Sequence, residues 1–254
     1  MMTMNAPEIS VKAVIPHSIL PQVDGAGLPG FLTALQLGDS TLPVGSFSFS
    51  NGLETAVQLG IVHDAATLED FIKTAVEQSA HGDGVALLES HRGMLAGDLD
   101  RIILADRASY NRKLNEEIRV MSIRMGKKLA EMSLYLSPDQ PVLSSWLDRV
   151  KTGDVPGTYA AAQGAVFAGM QLSEQVAFAV QQYGVASMMV GAALRMVKMN
   201  YLDGQKILIS VNQLVEPVYQ AIKERTIDDM ASYAPMIDIL AGIHVKSKIR
   251  MFMN

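Results

Sequence analysis

LNEEIRVMSIRMGKKLAEMSLYL, residues 114–136, sets Leu114, Ile118, Met121, Met125, Leu129, Met132 and Leu136 at steps of four and three. That spacing returns every side chain to one face of a helix, whereas a half-buried strand needs alternation by two. The stretch predicts one long amphipathic helix, with Arg112, Lys113, Glu116, Arg119, Arg124, Lys127, Lys128 and Glu131 on its other faces. Lys113–Glu117 and Lys127–Glu131 stand at i,i+4, pairs worth about a few tenths of a kcal/mol each. Residues 107–131 hold seven Lys/Arg and three Glu. Such a run is either a solvated helix face or a dock for an acidic partner surface.

Helical spacing continues in both directions. Upstream, Leu68, Phe71, Ile72, Ala75 and Val76 form one apolar face. Thr67 with Asp70 reads as its capping box, Gly82-Asp83-Gly84 as a turn that ends it, and residues 85–95 as a second helix. Downstream, Pro138 and Pro141 interrupt, a short helix surrounds Trp146 up to Gly153, and two or three weakly charged helices fill 158–198. Ile207, Val211, Leu214, Val218 and Ile222 make another stripe, with Pro217 inside it predicting a kink or break near Val215. A last helix is expected over 235–242. No strand pattern with hairpin turns and no internal repeat is present. The fold class is all-α: a single-domain bundle of about eight to ten helices over 31–243, after an extension at 1–30 with no signal-peptide pattern.

Composition narrows the function. The net charge of −5 opposes general nucleic-acid binding, which needs a basic excess. Charged residues are 19%, below the usual quarter or so. From 157 to 194 the lone charged side chain is Glu174. Gln163, Gln171, Gln175, Gln181 and Gln182 interrupt this region, so no apolar run reaches the ~18 residues of a membrane span. Buried helices at a bundle centre or subunit interface are expected instead. The chain has no Cys, which excludes disulfides and thiolate chemistry and fits the cytoplasm. Its 16 Met suit irregular cores and adaptable contacts.

Catalytic motifs are missing. There is no Gly-x-x-x-x-Gly-Lys-Ser/Thr phosphate loop, and Gly126-Lys127-Lys128 lies mid-helix. There is no Gly-x-Ser-x-Gly elbow, and Ser46, Ser48 and Ser50 have no His nearby in sequence. The five His (His17, His63, His81, His91, His244) include no His-x-x-x-His pair, and Glu89 and His91 do not share a helix face. Solvated or capping His residues are expected. The reading is no enzyme, no cofactor and no intrinsic metal site.

One segment resists the helical pattern. LPVGSFSFSNGLE, residues 42–54, alternates Ser and Phe but is punctuated by Pro43, Gly45 and Gly52. Asn51 with Glu54 reads as a cap for a helix over 52–60. This segment resembles the N-terminal signature of the urease accessory protein UreF family. Glu117-Ile118-Arg119 with Gly126 resembles that family's Glu-x-Arg then Gly pattern, and Asp203-Gly204-Gln205 its Gly-Gln step before a late helix. Residues 244–254 resemble its ending: His244, a six-residue step to Arg250, then the apolar-aromatic Met251-Phe252-Met253.

The resemblance implies an all-helical, non-enzymatic maturation factor for urease. It implies a homodimer that binds the UreH scaffold (also called UreD) and the nickel-carrying GTPase UreG, and delivers nickel to the urease apoprotein. The partner-binding positions it implies are Pro43, Gly45, Ser46, Phe47, Ser48, Ser50, Gly52, Leu53, Glu54, Glu117, Arg119, Asp203, Gly204, Gln205, His244, Arg250 and Phe252. The tail 244–254 is implied as a segment that orders on UreH. The family commonly has Glu where Val245 stands, Leu where Met251 stands and Ser where Asn254 stands. Apolar docking by the tail is therefore implied, but no contact through that Glu. The residues alone leave a second reading open, a helical ligand-binding protein or small helical enzyme with a pocket in 157–194. A third is a helical scaffold unrelated to nickel.

Overall fold

The computed structural model describes residues 27–45 and 50–244, and among them every regular element is helical. In chain order these are α1 (Gly27–Gly38), α2 (Leu53–Gln58), α3 (Ala65–Ser79), α4 (Val85–Ala96), α5 (Leu99–Arg112) and α6 (Glu116–Leu136). Then come α7 (Pro141–Thr152), α8 (Tyr159–Gly169), α9 (Glu174–Ala193), α10 (Tyr201–Ile222) and α11 (Pro235–His244). A five-residue π segment, Ala80–Gly84, joins α3 to α4 end to end, and a 3-10 turn, Ile227–Asp229, precedes α11. The all-α expectation is met. The first helix opens at Gly27, within the stretch assigned to an extension.

Helix α8 lies at the centre, with all residues from Ala160 to Ala168 buried between α4 and α6. Its sequence YAAAQGAVFAG is small-residue-rich, and the contacts show why. A Cβ on Gly164 would sit 2.2 Å from the Leu87 carbonyl oxygen of α4. A Cβ on Gly126 of α6 would sit 2.2 Å from the Gly157 carbonyl and 2.6 Å from that of Thr158, at the approach to α8. Backbones this close leave no room for side chains larger than hydrogen at either position. The buried face of α6 is accordingly Ser122, Met125, Gly126, Leu129, Ala130 and Ser133. This face is rotated from the Leu/Met stripe, whose ends Leu114 and Leu136 are exposed.

Asp106 anchors this layer. It is fully buried on α5 and accepts from the backbone N–H groups of Gly157 (2.8 Å) and Thr158 (2.7 Å) and from the Trp146 indole (3.2 Å). One carboxylate thus stands in for a cap at the start of α8 and holds α7 beside it.

A second core joins α2, α3, α9, α10 and α11 through Leu53, Leu68, Ile72, Met189, Ile207, Val211 and Leu240. At the edge of the first core an ionic network ties α4 and α5 to the start of α9 and the end of α10. Glu89, 5% exposed, receives Arg101 at 2.8 and 3.0 Å and Arg92 at 3.3 Å. Arg92 also grips Glu174 (2.8 and 3.0 Å) and the Lys223 carbonyl (2.5 Å), and the Tyr219 hydroxyl donates to Glu174 at 2.9 Å. Burial pushes the Glu174 carboxyl up, but the bonds from Arg92 and Tyr219 outweigh it and leave the group below its usual range. The isolated acid of the apolar region is therefore an internal ion-pair partner.

Several boundaries differ from the sequence reading. The cap of α3 is Asp64 with Thr67, one turn before Thr67 with Asp70. Gly82-Asp83-Gly84 does not end a helix but forms the π segment, where Gly84 lets the Phe178 ring approach to 2.9 Å of a would-be Cβ. The positive run 107–131 is two helices, broken between Arg112 and Glu116. α10 continues through Pro217, which lies on the exposed face, where the carbonyl that Pro leaves unpaired is open to solvent. Among the described helices only α9 is long and apolar enough to suit a membrane span, and half of that stretch is buried in the protein. His91 is 2% exposed, with Nε2 2.8 Å from the Leu172 carbonyl oxygen, so it is a core residue and not a solvated one.

Gly126→Ala should force α6 away from α8. We expect a loss of about 2–3 kcal/mol or more, the usual cost of overpacking, read as a lowered urea midpoint at unchanged slope.

Candidate functional site

Residues 50–54 turn inward on α11. Asn51 and Gly52 both take left-handed backbone angles, φ 49° and 80°. This double turn delivers the chain into α2 with Gly52 at the N-cap and no side-chain cap bond. The Asn51–Glu54 capping box is therefore not formed. Glu54 is instead buried, 3% exposed. A Cβ on Gly52 would lie 3.0 Å from the Ala241 nitrogen and the Ile237 carbonyl oxygen. Only glycine combines that angle with that proximity. Ser50 and Leu53 are fully buried, whereas Pro43 and Gly45 (φ 90°) are exposed. Ser46, Phe47 and Ser48 lie outside the described residues.

The start of α6 reaches the same helix. Asn115, 5% exposed, caps α6 by accepting from the Glu117 nitrogen at 2.7 Å, while its Nδ2 donates to the Ala241 carbonyl at 2.7 Å. The sequence reading missed this residue, although Asn followed by Glu-Glu is a helix-start signal. Glu117 occupies the first turn of α6. Arg119 donates to the Lys113 carbonyl (2.5 Å) and lies 5.2 Å over the Tyr110 ring, so it clasps the break between α5 and α6. Asp203 closes a capping box with Asn200 inside the first turn of α10, so the Gly-Gln step falls within that helix. Gly204 is buried, and a Cβ there would meet Val190 Cγ1 at 2.9 Å. Gln205 is exposed. The structure thus brings 50–54, 115–119 and α11 together and keeps 203–205 on another face of the second core. His244 closes α11. Arg250 and Phe252 lie outside the described residues.

The connector into α11 is fastened to α3 and the π segment. Gln78 accepts from the Ala234 nitrogen (2.6 Å) and donates to Ser232 (3.3 Å) and Asp238 (3.1 Å). The His81 ring stacks on Tyr233 at 5.1 Å, its Nδ1 lies 2.7 Å from an Arg225 guanidinium nitrogen, and its carbonyl accepts from Ala231. An arginine can only donate, so His81 is neutral in this arrangement. Burial lowers its pKa, the Arg225 charge lowers it further, and Glu77 pulls the other way.

A cavity of about 820 Å³ lies beneath these elements. α9 lines it from Val180 to Ala192, with Arg195 just beyond that helix, α6 through Ile118, Met121 and Met125, and α11 through Ile237, Asp238 and Ala241. Asp83, presented by the π segment, is held there by Lys113 (2.6 and 2.8 Å) and by the Ser109 hydroxyl (2.7 Å). Burial raises the Asp238 carboxyl, Lys113 lowers it and Asp83 raises it. Burial also pushes the Tyr159 hydroxyl up to about 12. Among the described residues no cluster of three His, Cys, Asp or Glu has the arrangement of a metal site.

The UreF family model matches residues 62–212. The chain is 49% identical over 227 residues to "Urease accessory protein UreF 2" of Brucella canis, covering 89% of this chain and 93% of that protein. It is 48% identical to "Urease accessory protein UreF 1" of Brucella melitensis, covering 89% and 94%. It is 46% identical over 220 residues to "Urease accessory protein UreF" of Yersinia pseudotuberculosis, covering 87% and 96%.

Gly52→Ala should push α11 off its seat. We expect amide exchange in α11 to quicken about tenfold while α4 is unchanged, the equivalent of about 1.4 kcal/mol of local opening. His81 supplies a pH signature. Its folded pKa is depressed, so its stabilising arrangement is intact above about 6.5, the unfolded value, and is lost as pH falls through the folded pKa. Between pH 7.5 and 5.5 the thermal midpoint should therefore fall more in the native chain than in His81→Asn, and equal slopes would remove His81 from the connector's stability.

Proposed function

The chain belongs to the UreF family and is a urease accessory protein, not a catalyst, and from that premise we propose that it bridges two other maturation factors in the cytoplasm. One is the UreH/UreD scaffold and the other the GTPase UreG, and the assembly delivers nickel to the urease apoprotein. Nickel here is cargo carried by partners. The chain acts by differential binding, holding UreG in one nucleotide or metal state and releasing it in another.

The observation that carries this reading is the convergence of 50–54, 115–119 and α11 on one place in the fold. Residues 50–54 and the cap of α6 at Asn115 meet on the helix that leads into the tail, although they are separated widely in sequence. Gly52, Leu53 and Asn115 build the seat of α11, and α11 in turn leads in sequence to 245–254 with its Arg250 and Phe252. Pro43 and Gly45 remain exposed beside the seat as contact positions. On the other face, Gln205 stands between the exposed Leu202 and Ile209 of α10, an amphipathic row suited to a second contact. The exposed Leu28, Leu32 and Leu35 of α1 supply apolar surface for a homodimer. Arg119 serves the α5–α6 junction, so its contribution to partners is through the position of Asn115 and not through free charge.

Co-purification with UreH and UreG, sized by light scattering with nickel and GTP varied, tests the assembly. We expect a discrete ternary complex, and removal of residues from 244 onward should abolish UreH capture while circular dichroism stays helical. Full UreH affinity after that removal would sink the role given to the tail.

A further inference from the structure

The connector from α10 to α11 is held by few buried side chains. Met230 is buried, but Ala231, Ser232 and Tyr233 after it are exposed, and α11 buries one stripe, Ile237, Leu240 and Ala241. A segment so thinly buried opens locally more easily than the core helices. Its fastenings are polar, and three of them converge on His81. Nδ1 accepts from Arg225 at 2.7 Å, the ring stacks on Tyr233, and the backbone carbonyl accepts from Ala231 at 3.2 Å. The π segment frees that carbonyl, because its ladder departs from i+4 pairing. Gln78 and Arg112 supply the other fastenings, to Ser232, Ala234, Asp238 and the Met230 carbonyl.

We propose that His81 is an acid-released latch on α11 and its connector. When the ring takes a proton from solvent, Nδ1 turns from acceptor to donor and faces a guanidinium that can only donate. Two cations then stand where one hydrogen bond was, and Arg225 leaves with the connector. Glu77, one turn back on α3, faces both His81 and the Tyr233 hydroxyl, so it favours the charged ring. Asp229 of the 3-10 turn faces Arg225 and offers the freed guanidinium a place inside the connector. The remaining charges nearby are engaged elsewhere: Asp83 with Lys113 and Ser109, and Arg112 with Met230. α9 presents the uncharged Gln181 to the π segment, and α4 continues it with the apolar Val85 to Leu88. Burial and then Arg225 depress the ring's pKa, so the latch is closed above about 6.5 and opens as pH falls through the folded value. Asp238 on α11 runs the other way. Burial raises its carboxyl, so acid relieves it and tightens α11. Opening bares Leu53, Ile237 and Leu240 of the second core. The bridging role depends on α11, so the consequence for partner capture rests on that role, while the latch itself does not.

Hydrogen exchange in the full chain at pH 7.5 and 5.5, corrected for the intrinsic pH dependence of exchange, reads the latch directly. We expect protection over 231–243 to drop about fivefold or more at pH 5.5 relative to α4. The midpoint should match the His81 ring titration followed by NMR. His81→Asn keeps an acceptor near the place of Nδ1 and removes the titration, with His81→Gln as the second variant should the first not fold. Either should hold the protection of 231–243 relative to α4 within about twofold between the two pH values. Asp238→Asn should leave the native response in place. Unchanged relative protection in the native chain overturns the proposal. So does an equal drop in the His81 variant, which puts the sensor elsewhere, and so does a drop shared by α4, which is global unfolding. No arm of this experiment uses UreH or UreG, so a latch that responds as expected beside a failed UreH capture would remove the bridging role alone.

Discussion

The close approach of α8 to α4 and α6 is the constraint on which the rest of the structure depends. Backbone carbonyls of Leu87 and Gly157 come within 2.2 Å of where a Cβ would be on Gly164 and Gly126. Such proximity makes van der Waals contact dense and rules out the ordinary Leu-into-groove packing of helices at those points. Thr158, at the N-cap of α8, makes no side-chain cap bond. Asp106, reaching from α5, satisfies those backbone donors instead. The alanine-rich composition of α8 and the small-residue face of α6 both follow from that geometry.

With the first core closed so tightly, the looser features gather in the second. α3 of the second core and α4 of the first are one rod interrupted by the π segment. The extra residue of that segment turns Asp83 toward the cavity and leaves His81 to meet Arg225 and Tyr233. One short irregularity thus fastens two junctions, the break between α5 and α6 and the connector into α11. The Glu89–Arg92–Glu174 network ties α4 to α9 and α10, with Glu89 buried and Arg92 and Glu174 partly exposed, and further bonds reach each member. Breaking one member would leave a buried charge, a much larger cost than losing a surface pair.

Much of the candidate site was legible as a motif but not as a location. LPVGSFSFSNGLE stood out because its turn residues clash with any simple period. Yet Ser50, Leu53 and Glu54 prove to be buried, Leu53 in the core that holds α11, and only Pro43 and Gly45 of that motif's described residues are exposed. Glu117-Ile118-Arg119 was noticed as a pattern, while Asn115, two residues earlier, makes the bond to Ala241. That bond spans residues 126 apart in the chain, and no local rule could announce it. The same holds for Gln78, whose amide fixes the connector, because a lone Gln on a helix carries no distinctive local signal.

What the sequence determined by itself was the all-α class, most helix locations and the family. Apolar spacing of three and four, helix-capping residues and glycine or proline punctuation are local properties and are readable one turn at a time. Tertiary structure alone decided which face of α6 is buried, that Gly82-Asp83-Gly84 widens a helix and does not end it, and that α10 passes through Pro217. It also decided that 50–54, 115–119 and α11 form one place. These outcomes depend on how closely two backbones approach and on which solvent-facing carbonyl goes unpaired. Those quantities come into being only when distant segments meet.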